Sequence, residues 1–239
     1  MKRAYLILIA AVVLGLGLAA LSVPSVLAND RHDDDYSAVY APNENVLGMS
    51  YGDWSVAWWQ YILLFQNSVS PYSDTTGQRC SDGQSGPVFF LVGGPVNPTT
   101  RSCTIPAGKA LFVPIINVEC SSVEGPGFQG RNGQEARACA ASYVDTTDVK
   151  HLKFTVDGVK VKQLGDFRAQ SPYYYFNMMP PDDNFLGVPG ATEGYSASDG
   201  YWVMVKPLSP GTHVIHFEGS WTAAGGAVQN VTYNLTVTP

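Results

Sequence analysis

The chain has 239 residues, with 14 Lys and Arg against 20 Asp and Glu, a formal charge of −6 at pH 7 and only 14% charged residues. An acidic chain without a basic cluster excludes nucleic acid as a partner, and the length suffices for one domain with a sizeable core. Abundant Gly, Pro, Ser, Thr and Tyr favour many short strands joined by tight turns.

The N-terminus reads as an export signal over residues 1–28. Lys2 and Arg3 precede an apolar run over 5–21, and Val26-Leu27-Ala28 supplies the small-residue cleavage pattern. A retained anchor is the alternative. Cleavage after Ala28 removes two positive charges and no acid, and leaves no transmembrane segment in a secreted or periplasmic protein. Residues 29–45, NDRHDDDYSAVYAPNEN, are polar and acidic and are expected to form a flexible leader. Residues 46–239 are expected to form a single domain.

Residues 51–65, YGDWSVAWWQYILLF, carry three of the five tryptophans. Trp54, Trp58, Tyr61, Ile62 and Phe65 share one helical face, and Val56, Trp59 and Leu63 the other. Ser50 is the expected N-cap, with Asp53 in the first turn. A helix apolar on both sides must be covered on both sides, and at about fifteen residues it is short of the roughly 20 that span a bilayer.

Four cysteines follow: Cys80, Cys103, Cys120 and Cys139. An even count in an exported chain reads as two disulfides with three possible connectivities. Cys80–Cys103 and Cys120–Cys139 are favoured, because each closes a local loop of about 20 residues worth roughly 3 kcal/mol.

Residues 66–86 read as a turn-rich connector and 87–92 as a buried strand. Residues 101–117 read as a hairpin turning at Pro106-Ala107-Gly108, with Pro114 marking an edge or a bulge. A short helix is expected over 134–143. From His151 onward the pattern is strands: 151–156, a tight Asp157-Gly158 turn, 159–161, 172–179, 201–206, 212–218 and 228–237. Residues 182–200 read as a long loop of the kind that carries function. The expected architecture is mostly β: a two-sheet sandwich of jelly-roll or immunoglobulin-like type, with one buried N-terminal aromatic helix and one short helix.

No motif carries chemistry outright. The G-x-S-x-G elbow of serine hydrolases is absent. His216 and Glu218 sit two apart on a strand and are a two-ligand start for a metal without a third ligand; Asp182 and Asp183 offer hard oxygens in a loop. Neither amounts to a metal site, and no cofactor is expected. For paired-carboxylate hydrolysis the acids in loop regions are Glu119, Glu124, Glu135, Asp183 and Glu193, with Glu119 and Asp183 singled out as catalytic candidates, although no spacing selects a pair. For ligand binding the candidates are aromatic: Tyr173, Tyr175, Tyr195 and Trp202, with Arg168 beside them as a polar contact.

In this order, the stretches YGDWSVAWWQ, GQSGPVFFL, RSCTIPAGKALFVPIIN, RAQSPYYYF and SDGYWVMVKPLSPGTHVIHFEG resemble those of a group of secreted bacterial proteins that carry no assigned activity. The resemblance runs from Tyr51 to Val237. It implies export and a single compact domain, and it transfers no catalytic residue.

The sequence therefore points to an exported, non-enzymatic binding or structural module of the cell envelope or extracellular space. Its expected partner is a glycan, an apolar ligand or an envelope component, met through aromatic loops. The alternative is a hydrolase acting on an extracellular or cell-wall polymer through loop carboxylates.

Overall fold

The strand between Ala110 and Ser121 is buried along nearly its whole length, and the two sheets are arranged around it. A computed structural model describes residues 37–223 and 226–239, all within one compact unit, His32–Pro239. The export segment and the start of the leader, residues 1–36, lie outside the described residues. No helix among the described residues is long and apolar enough to cross a membrane.

Ten strands form two five-stranded sheets: β1 (Val88–Phe90), β2 (Thr99–Pro106), β3 (Ala110–Ser121), β4 (Lys153–Val156), β5 (Val159–Lys160), β6 (Arg168–Gln170), β7 (Tyr174–Phe176), β8 (Gly194–Val205), β9 (Gly211–Trp221) and β10 (Ala227–Thr238). The first sheet runs β1-β3-β8-β6, with β7 also paired to β8; the second runs β2-β10-β9-β4-β5. In β10, Val231, Tyr233, Leu235 and Val237 are buried in alternation, so the second sheet keeps one face toward solvent. The first sheet is covered on both faces, which explains the unbroken apolar run ALFVPII in β3.

Helix α1 (Tyr51–Ile62) covers one face of the first sheet. A reciprocal capping box between Ser50 and Asp53 starts it. Trp58 meets Trp202 of β8 edge-on at 5.5 Å, and Trp202 stacks on Phe112 of β3 at 5.1 Å with planes 5° apart. Trp54 and Trp58 donate their indole N–H groups to the carbonyls of Val46 and Leu91 at 3.0 and 2.9 Å. Helix α2 (Gly133–Val144) packs against β3 and β8 and is tied to β3 by the disulfide Cys120–Cys139. The second disulfide, Cys80–Cys103, ties the connector to β2. Both pairings are the local ones expected from the sequence.

Three expectations need correction. Residues 101–117 are not a hairpin. The turn at 107–109 exists, but β2 pairs in parallel with β10, whereas β3 pairs with β1 and β8, so the chain crosses from one sheet to the other. The burial patterns give the reason: β2 alternates, as in a sheet with one wet face, and β3 does not. Pro114 lies at a register shift in a central strand, a bulge rather than an edge.

Second, the loop expected over 182–200 ends at Glu193, because GYSASDG opens β8. Its small polar residues are buried there by close neighbours. Ser198 meets Ser55 of α1 with the two hydroxyls 3.2 Å apart, and a Cβ on Gly200 would lie 2.6 Å from the Cβ of Asn117. Third, within the expected leader, residues 38–40 dock on the end of β8: Val39 is buried and bridges Val205, and Tyr40 donates to the Met204 carbonyl at 2.9 Å.

Candidate functional site

The edge of β3 is only partly covered. Strand β1 pairs with Ala110, Leu111 and Phe112, and at Ser121 the loop 122–130 closes back, with Ser121 N donating to Phe128 O and Gly130 N to Ser121 O. Between these points a cavity of about 300 Å³ runs along the strand. Four successive β3 residues line it, Ile116, Asn117, Val118 and Glu119. Successive side chains point to opposite faces, so the cavity follows the strand's edge rather than one face.

The other walls come from distant parts of the chain. Helix α1 supplies Trp58 and Trp59, and Tyr72 comes from the connector. The loop 122–130 supplies Glu124 and Phe128, and the loop 177–193 supplies Phe185 and Leu186. Trp221, Ala227 and Gln229 come from the second sheet. The aromatic rings are held by one another: Trp59 meets Phe185 at 5.9 Å, Tyr72 meets Phe185 at 5.1 Å, and Phe128 stacks on Tyr143 of α2 at 4.8 Å.

Two carboxyl groups meet at this wall. Glu119, 3% exposed, is hydrogen-bonded to Glu124 and accepts from the Ser196 hydroxyl. Glu124 accepts from the amide and hydroxyl of Ser121 at 3.1 and 2.9 Å. Burial, and next the charge of Glu124, holds Glu119 well above the usual carboxylate range. Burial raises Glu124 as well, against the hydrogen bonds it accepts. Two carboxyls in contact cannot both ionise cheaply, which favours the protonated form of Glu119. The contact is far shorter than the roughly 5–9.5 Å between the carboxyls of glycosidases, so the pair does not form either glycosidase geometry.

Two donors on cavity-lining residues are closed off from solvent and have no partner among the described residues. Trp59 is 5% exposed and its Nε1 is unbonded; Asn117 Nδ2 is likewise buried and unbonded. Arg101 Nε and Trp202 Nε1, at residues that do not line the cavity, are buried and unpartnered among the described residues in the same way.

A second depression, of about 440 Å³, lies beside α1 and is lined by Trp54, Tyr61, Leu64, Phe90 and Met178 among others. Two of the polar groups on its wall are already engaged. The Tyr61 hydroxyl donates to Asp82 O at 3.0 Å, and Gln60 Nε2 donates to Tyr175 O at 2.9 Å.

Of the acids singled out in the sequence, Glu119 and Glu124 line the cavity, together with Trp58 and Trp59 of the aromatic helix. Asp183 is exposed and serves a turn: its carboxylate accepts from Ser68 N at 2.9 Å, which lowers its pKa, and its carbonyl accepts from Asn67 N at 2.6 Å. Asp182 is exposed next to it. Glu135 pairs with Arg131, and Glu193 accepts from the Tyr175 hydroxyl. Glu218 lies between His216 and Lys153, at 2.9 and 2.7 Å, and no group of three His, Cys, Asp or Glu among the described residues is placed to hold a metal.

Tyr173, Tyr195 and Tyr175 come together on the surface, with Tyr195 5.4 Å from Tyr173 and 5.2 Å from Tyr175. Trp202 does not join them: it is 0% exposed, locked between Phe112 and Trp58, and is a core residue. Arg168 is also separate from the tyrosines, bound to the buried Asp199 and to Asp145, each at 2.8 Å.

Asn117, Phe128, Phe185 and Trp221 are not among the sequence candidates, and Trp59 is marked there only as a residue of one helix face. One signal was present: Asn117 and Glu119 are polar residues inside a run whose apolar length marks a doubly covered strand.

No family model and no curated protein matches the chain. Among solved structures, a cysteine protease inhibitor from Entamoeba histolytica aligns over 58% of this chain and 86% of its own, at 13% identity and a TM-score of 0.22. Amebosin aligns over 63% of this chain and 100% of its own, at 14% identity and a TM-score of 0.18. Similarities this low carry no conclusion about the chain.

Proposed function

We propose that the protein is an extracytoplasmic carbohydrate-binding module that takes one sugar residue of a glycan into the cleft at the β3 edge. The two disulfides fit an oxidising compartment. The observation that carries the reading is the pairing of an aromatic-walled cavity with a carboxyl pair on its wall. A sugar ring offers apolar C–H faces to aromatic rings, and its hydroxyls both donate and accept.

Calorimetric titration with neutral mono- and oligosaccharides tests the reading. Saturable binding that is lost in Asn117→Ala and Trp221→Ala but retained in Tyr195→Ala supports it. Binding that survives both cleft substitutions and disappears in Tyr195→Ala would move the site to the tyrosine cluster.

The hydrolase reading draws on the same carboxyl pair, since one protonated and one ionised carboxyl side by side form a general acid and base. It requires turnover of the bound compound that Glu119→Gln abolishes.

A further inference from the structure

We propose that Tyr175 and Tyr195 form the site of an oxidative crosslink, a dityrosine bond that staples β7 to β8; it is independent of how the cleft is used.

Among the described residues these are the two exposed tyrosines, at 41% and 49%. They stand directly opposite one another in the antiparallel β7–β8 pair, and their ring centroids lie 5.2 Å apart with planes at 52°. Residues opposite in such a pair hold their Cβ atoms about 4.5–5.5 Å apart, so the backbone itself keeps the two rings together. Tyr173 stacks on Tyr195 at 5.4 Å, but from a half-buried position. The other tyrosine ring pairs among the described residues are with Phe or Trp.

The bond requires a one-electron oxidant, here a haem peroxidase supplied with hydrogen peroxide. Each phenol gives up one electron and one proton, and the peroxide is reduced to two molecules of water. An ortho carbon of one ring then bonds to an ortho carbon of the other, and the hydrogens on those two carbons move to the phenolic oxygens. Glu193 is placed to take one of the protons: it accepts from the Tyr175 hydroxyl, so that proton has an acceptor as the electron leaves.

The position of the bond gives it a structural effect. Strand β7 pairs with β8 over three residues, and the loop 177–193 between them carries Phe185 and Leu186 to the cavity. A Tyr175–Tyr195 bond closes this segment covalently, over a span of about 20 residues like those closed by the disulfides.

The test treats the folded protein, at low concentration, with hydrogen peroxide and a haem peroxidase, and reads dityrosine fluorescence, intact mass and a peptide map. The expected product is a monomer lighter by two hydrogen atoms, with the peptides of Tyr175 and Tyr195 joined, that melts about 5 °C or more above the untreated protein. Tyr175→Phe and Tyr195→Phe keep the rings and lose the phenols, and each should abolish the product. Tyr173→Phe should leave it, and Glu193→Gln should slow its formation several-fold. Thermal unfolding of each variant confirms its fold. Tyr173 joined to Tyr195, crosslinked dimers in place of the monomer, an unchanged melting temperature, or oxygen added at the exposed Met178 without loss of hydrogen overturns the inference.

Discussion

The carboxyl group of Glu119, on β3, is hydrogen-bonded to that of Glu124, on the loop that follows the strand. The contact joins a rigid central strand to a loop with three glycines, Gly125, Gly127 and Gly130, and it holds Glu124 and Phe128 against the cavity. Its strength depends on the proton that Glu119 holds.

This dependence fixes a pH profile. Glu119 has a raised pKa in the folded protein, so the folded state holds its proton more tightly than the unfolded chain does. The contribution of the pair is fully present below the ordinary glutamate range. It declines as pH rises through that range toward the raised value. Urea unfolding at pH 5 and pH 8 should therefore give a lower stability at pH 8 in the wild type and a smaller difference in Glu119→Gln. An identical pH dependence in the two proteins would show that Glu119 does not hold the proton.

The Asp199–Arg168 bridge predicts a second effect. Asp199 is 2% exposed and accepts from both Arg168 Nε and Nη2, while Arg168 also reaches Asp145 beyond the end of α2. Asp199→Ala breaks a buried pair and should cost about 3–5 kcal/mol. Asp145→Ala removes an exposed partner and should cost about 1 kcal/mol or less. Denaturant midpoints of the two variants distinguish these outcomes; equal losses would contradict the burial argument.

The disulfides separate stability from binding. Each should contribute roughly 3 kcal/mol. Cys120–Cys139 also anchors the strand end from which the loop with Glu124 and Phe128 departs, whereas Cys80–Cys103 lies away from the cavity lining. The double substitution of Cys120 and Cys139 by Ser should weaken ligand binding at a temperature where the protein remains folded. The same change at Cys80 and Cys103 should lower the melting temperature with little effect on affinity.

Much of the fold was legible because its periodicities are local. The capping box Ser50–Asp53, the Asp157-Gly158 turn with both residues at positive φ, and the alternation in β9 and β10 are all written in adjacent residues. Sheet membership was less accessible. Turn chemistry at Pro106-Ala107-Gly108 says that the chain reverses, not whether the two strands share a sheet; only the contrast between alternating TTRSCTIP and continuous ALFVPII held that information.

The start of β8 was missed because Gly194, Ser196, Ser198 and Gly200 look like loop residues until α1 and β3 are packed against them. The site was legible only through two of its acids, Glu119 and Glu124. They lie five residues apart, but the rings that enclose the pair come from α1, the connector, two loops and the second sheet, and no local pattern links them.

The measurement that bears most directly on the central claim is the indole N–H spectrum of the ¹⁵N-labelled protein during titration with the oligosaccharide that binds. Trp59 lines the cavity, while Trp54 lines the separate depression beside α1. The account predicts that the Trp59 cross-peak shifts and saturates with the ligand while that of Trp54 stays in place. A saturable binding isotherm with no movement of the Trp59 cross-peak would contradict it.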